Sequence, residues 1–180
     1  ILVEIGRIWG EPYTFLILSG GFYIHGIATE NKINEKIGFE IGESAIFTGL
    51  ITLFLKYTFG RERPRENDNA FSFHPFSFQN DNFLSLNSGH TALAFSLSTV
   101  LANNTSNNYL KVLFFTPAFM TAFSRIYQNH HWLSDVILGG IIGYSTASFV
   151  TTNHKFNKLK NSTNQLPQKP MNFIELKIPF

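Results

Sequence analysis

The stretch Ser124–Thr152 reads SRIYQNHHWLSDVILGGIIGYSTASFVTT. Its first half is polar and carries Arg125, His130, His131 and Asp135. Its second half, Val136–Thr152, holds no charge. A charge-free run of that length predicts a helix, His131–Thr152, with its polar residues in the first turn. His131 and Asp135 are four apart and share one helix face. The same layout, a polar cluster at the end of an apolar helix, occurs twice upstream.

Working outward, Ile1–Gly10 reads as a short helix. Pro12–Thr29 is a second, with Pro12 at its first turn. Asn31–Gly38 is turn-like or a short helix, and Phe39–Tyr57 is a long apolar one. Residues 60–86 form a loop rich in Asn, Asp, Ser, Pro and Phe, long enough to suggest a functional lid. Ser88–Ala102 is helical, Asn103–Asn108 is a break, and Tyr109–Phe123 is a helix interrupted by Pro117. No repeat is visible. The expectation is an all-α single-domain bundle of about six core helices over residues 1–153. A polar tail, 154–180, follows, with a strand-like end at Asn172–Phe180.

Composition narrows the function classes. The chain has 180 residues, 44% hydrophobic and 14% charged, against roughly 25% charged in ordinary domains. Net charge is +2, with no basic run suited to nucleic acid. The absence of cysteine excludes disulfides, thiolate catalysis and Cys-ligated zinc. The apolar stretches Thr14–Ala28, Ser44–Leu55 and Val136–Thr152 are short or interrupted for membrane spans. Mean hydropathy is +0.01. These stretches read as buried core helices of a soluble or surface-associated domain.

Three clusters carry chemistry. Lys56 closes an apolar helix, Gly60 ends it, and Arg63 follows across the turn. Asn87-Ser88-Gly89-His90 opens another helix, whose free N–H groups suit an anion. In the third, Asp135 bonded to one imidazole nitrogen of His131 would leave the other free as nucleophile or base. Each has an ordinary alternative: cations at a helix C-terminus, an N-cap, an i,i+4 pair. Zinc on His130, His131 and Asp135 is disfavoured, because adjacent histidines rarely face one ion. Together the clusters supply Lys56, Arg63, Arg125, a helix N-terminus, two histidines and an Asp at one rim of the bundle. A phosphoryl group needs such a set.

These residues resemble the tripartite signature of the type 2 phosphatidic acid phosphatase superfamily: Lys-x6-Arg-Pro, then (Pro)Ser-Gly-His, then Ser-Arg-x5-His-x3-Asp. The chain reads Lys56…Arg63-Pro64, Ser88-Gly89-His90 and Ser124-Arg125…His131…Asp135, with Asn87 in place of the usual Pro. The resemblance implies a phosphatase acting on a phosphomonoester or pyrophosphate, lipid-linked or soluble, without cofactor or metal. His131 would be the nucleophile, Asp135 its orienter and His90 the proton donor. Lys56, Arg63, Arg125, Ser88 and the Gly89 N–H would bind phosphate, and vanadate fits the same cradle. It also implies a bacterial protein, periplasmic or membrane-associated. Loop residues Phe71, Phe73, Phe76, Phe78 and Phe83 could contact a lipid chain or pack on the bundle. Other readings are a vanadium haloperoxidase, for which the chain is short, and a non-catalytic phosphate-binding or membrane-associated module.

Overall fold

Local sequence sets the helix ends. In the computed structural model, which describes residues 8–77 and 80–164, Asn31 accepts hydrogen bonds from the N–H groups of Ile33 and Asn34. Asn107 does the same for Tyr109 and Leu110. Each cap satisfies donors that a helix start leaves unpaired. The described residues form five α-helices and no strand: α1 (Pro12–Ala28), α2 (Lys32–Phe59), α3 (Gly89–Asn103), α4 (Asn108–Tyr127) and α5 (Leu133–Asn164). The all-α expectation holds. Most of the sixth expected helix, Ile1–Gly10, lies outside the described residues, as do Phe78 and the strand-like end Asn172–Phe180.

Helix α5 starts at Leu133 rather than His131, and other bounds move as well. Helix α2 starts at Lys32 rather than Phe39, because the Asn31 cap and the Lys32–Glu35 and Lys36–Glu40 pairs support its polar first turns. Helix α4 runs unbroken through Pro117; a proline removes a single backbone donor there. Helix α5 continues past Thr152 to Asn164. No Gly or Pro occurs between Gly143 and Pro167 to end it.

Helix α3 lies at the centre and packs on each of the other four. Its composition allows this: Ala92, Ala94, Ser96, Ser98, Thr99 and Ala102 are all buried. Helix α5 meets it through glycine. A Cβ on Gly139 would stand 2.6 Å from the Ser88 carbonyl oxygen, and one on Gly143 would stand 1.9 Å from that of Ala92. The two backbones touch through this Gly-x3-Gly face, a recurrent contact between helices in lipid.

Polarity is inverted relative to a water-soluble bundle. Glu40, Ser44 and Thr48 of α2 are 0% exposed, while Leu16, Phe54 and Phe149 are 75%, 68% and 66% exposed. On α1 only Phe15 and Gly26 are buried. The expectation of buried apolar core helices is therefore wrong: most of their large apolar side chains face outward. Small residues and inward hydroxyl pairs, such as Thr48 with Thr146 at 2.6 Å, fill the interior instead. Among the described residues, two helices are long and apolar enough to cross a bilayer, Lys32–Phe59 and Leu133–Phe156.

Gly143→Val forces a side chain into the Ala92 carbonyl. It is expected to destabilise the fold by about 2 kcal/mol or more, read as a lower midpoint in denaturant unfolding.

Candidate active site

The up-and-down chain path brings the start of α1, the end of α2, the start of α3, the end of α4 and the start of α5 to one rim. A cavity of about 480 Å³ opens there. Lys56, Arg63, Gly89, His90, Arg125 and His131 line it, together with Gly10, Asp81 and His130. Residues from Gly10 to His131, 121 positions apart in sequence, thus converge on one pocket.

The loop between α2 and α3 is stitched down rather than free. Gly60 takes φ +57°, and a Cβ there would stand 1.8 Å from the His74 carbonyl oxygen. Only glycine fits this left-handed turn against another backbone. Backbone bonds from His74 to Gly60, Glu62 to Ser72, Phe76 to Tyr57 and Ser85 to Arg61 fix the rest. The turn brings Lys56 and Arg63 to the same cavity. Lys56 Nζ donates to the Leu84 carbonyl. Arg63 donates to the carbonyl and carboxylate of Asp81 at 2.9 and 2.8 Å. Arg125, at the end of α4, donates to Gln128 Oε1 at 2.7 Å.

His131 is 4% exposed. Its Nδ1 lies 2.8 Å from the carbonyl oxygen of Ser85. A carbonyl only accepts, so Nδ1 carries the hydrogen, and Nε2 of the neutral ring holds a lone pair. Burial pushes the His131 pKa well below 6.5, reinforced by the charges of Lys56 and Arg63. His90, on the first turn of α3, is also pulled below 6.5, by burial first and Arg125 second, while Glu11 opposes the shift.

Two expected roles change. Asp135 does not bond the imidazole. Its carboxylate accepts from Arg61 Nη1 and Ser85 Oγ, both at 2.6 Å, and from the Trp132 N–H at 3.0 Å. It reaches His131 only through Ser85, because the first turn of α5 points the carboxylate away from the cavity. Ser88 also lies behind the wall. It is fully buried and does not line the cavity; its hydroxyl accepts from Thr91 and its N–H donates to the Asp135 carbonyl. Asn87 does not cap α3; its side chain is buried and donates to Thr52. His130 also lines the cavity and accepts from Arg65 at 3.2 Å.

Four residues at the site escaped the sequence reading: Glu11, Arg61, Asp81 and Ser85. Arg61 is buried between the rings of Trp132 and Phe73, 5.6 and 5.7 Å away, and binds Asp135, Ser134 and the Ala70 carbonyl. Its only signal in sequence is its place beside Gly60 in the first cluster.

The PAP2 superfamily model matches residues 38–159, which include every cavity residue named above except Gly10. This chain belongs to the PAP2 superfamily. A lipid A 1-phosphatase of Porphyromonas gingivalis is 37% identical over 90 residues, which are 49% of this PAP2 chain and 17% of that protein. The PAP2 chain therefore spans about a sixth of that relative. The crystal structure of Aquifex aeolicus LpxE shares the fold, with a TM-score of 0.63 at 22% identity over 83% of each chain.

Proposed function

We propose that this PAP2 protein is a membrane-associated bacterial phosphatase that removes a phosphoryl group from a lipid-linked phosphate through a phosphohistidine. The observation that carries the reading is the free Nε2 of His131 in a cavity lined by Lys56, Arg63 and Arg125. In the reaction, Nε2 attacks phosphorus and the bond to the ester oxygen breaks. His90 gives its proton to that oxygen. Water then attacks the phosphohistidine, His90 takes a proton back, and phosphate leaves. The three cations offset charge on the equatorial oxygens, so no step calls for a metal or cofactor.

The lipid assignment draws on a second cavity. An apolar groove of about 920 Å³ runs between α4 and α5, lined by Phe119, Phe123, Ile126, Leu133, Ile137 and Gly140 among others. It draws on the same stretches of chain as the polar cavity: Arg125 lines one and Ile126 the other, as do His131 and Leu133. A lipid phosphate could place its head in the first and a chain in the second. The outward apolar surface and the two bilayer-length helices support a membrane setting. The named relative acts on lipid A, and the family resemblance favours the periplasmic side.

His131→Ala is expected to lower phosphate release from any substrate by about a thousandfold or more, while His130→Ala retains most of it. An essential His130 would move the nucleophile by one residue and refute the assignment.

The pH dependence follows from the two histidines. His131 must be unprotonated, which holds above its depressed pKa; His90 must be protonated, which holds only below its own. Both lie under 6.5. A bell-shaped kcat/KM profile with its maximum on the acid side of 6.5 is expected. A maximum above neutrality contradicts these roles.

Gly140→Leu tests the groove. A Cβ at Gly140 makes only ordinary contact with Phe95, at 3.6 Å, so the side chain can extend into the groove. Loss of about tenfold in kcat/KM for a long-chain lipid phosphate is expected, with an aryl phosphate held within about twofold. Equal effects on both substrates count against a lipid-linked substrate in this groove.

A further inference from the structure

His90 stands where a protonated imidazole is least favoured. It lies in the first turn of α3, whose positive dipole end repels a cation. Lys56 faces it from α2, Arg125 from α4, Arg63 from the loop, and His130 and His131 from the segment before α5. Asp81, the acid that lines the cavity, pairs with Arg63 at 2.8 Å. A proton donor here needs a nearby negative charge, and Glu11 supplies it: its Oε1 lies 3.3 Å from His90 Nε2.

The backbone holds Glu11 there. A Cβ on Gly10 would stand 2.3 Å from the His90 carbonyl oxygen and 3.0 Å from Thr121 Cγ2, so this segment lies directly on the first turn of α3. Trp9 anchors it by donating to Ser98 Oγ at 3.0 Å. Pro12 starts α1 immediately after and restricts the backbone at Glu11 to the extended region it occupies, at φ −76° and ψ 139°. Glu11 lies before residue 38, outside the stretch that the PAP2 model matches.

We propose that Glu11 is the positioning residue of the proton donor, holding His90 in its charged form for delivery to the leaving oxygen. The proposal rests on the phosphatase reading above. When Glu11 accepts from Nε2–H, the imidazolium keeps a second N–H on Nδ1, and no hydrogen bond among the described residues occupies it. Burial lowers the pKa of His90 and Glu11 raises it, so removing the carboxylate shrinks the pH range in which the donor is charged.

The test compares the full chain with Glu11→Gln and Glu11→Asp. For Glu11→Gln, the alkaline limb of kcat/KM on an aryl phosphate is expected to move to lower pH. Activity on that side falls about tenfold, while the acid limb, set by His131, coincides with wild type. Glu11→Asp keeps the charge and restores most of the limb. A uniform loss at every pH, as a purely structural role at the start of α1 would give, overturns the proposal; so does an unchanged profile. NMR titration of His90 in histidine-labelled protein reads the same pair without turnover. A wild-type chain that releases no phosphate defeats the phosphatase reading, whereas a His90 titration unmoved by Glu11→Gln defeats the role of Glu11.

Discussion

The buried contact between Arg61 and Asp135 organises the rim. Arg61 is 7% exposed and Asp135 0%, and their closest atoms are 2.6 Å apart. Neither charge could stay buried without the other, and removing one partner of such a pair costs about 3–5 kcal/mol. Through Arg61 the pair holds the loop by the Ala70 carbonyl; through Asp135 it holds the Ser85 hydroxyl and the first turn of α5. Ser85 is bonded at its N–H, its hydroxyl and its carbonyl, and the carbonyl takes His131. The position of His131 thus follows from an ion pair that does not line the cavity.

The inverted polarity serves the same end. Helices that turn apolar side chains outward must fill their interior with small residues and paired hydroxyls, since an unpaired polar group away from water is costly. Close helix approach results, as Gly139 and Gly143 against α3 illustrate. The starts of α3 and α5 are thereby locked together, with the Ser88 N–H on the Asp135 carbonyl at 3.0 Å. His90 and His131 are carried by those two starts. Their relation is fixed by backbone rather than by flexible side chains.

The helices and the cavity wall were largely legible in sequence. Polar clusters at the ends of apolar runs marked six residues that do line the cavity: Lys56, Arg63, Gly89, His90, Arg125 and His131. The pairing of His131 was not legible. Spacing of four put Asp135 on its face of the helix, but a carbonyl from residue 85 can be placed only by the folded loop. Glu11 was equally hidden, since its partner is 79 positions away and meets it only through the Gly10 contact. Orientation of the apolar faces also escaped, because runs such as Thr14–Ala28 are apolar on every side and periodicity could not say which face looked out.

The indirect link between Asp135 and His131 has a chemical consequence. A carboxylate bonded straight to the imidazole would favour its protonated form strongly. A carbonyl fixes the same tautomer and raises the pKa less, so burial and the cations prevail and Nε2 stays unprotonated. Yet in the proposed reaction, where Nε2 bonds to phosphorus and the ring becomes positive, the Ser85 carbonyl dipole and the Asp135 charge near it both favour that charge. Asp81 contrasts with Asp135: it is 66% exposed and meets Arg63 at the mouth of the cavity, where an incoming phosphate can take its place. One carboxylate is thus buried in the support of His131, and the other is exposed beside Arg63. In the proposed reaction, substrate charge is then neutralised without disturbing the support beneath His131.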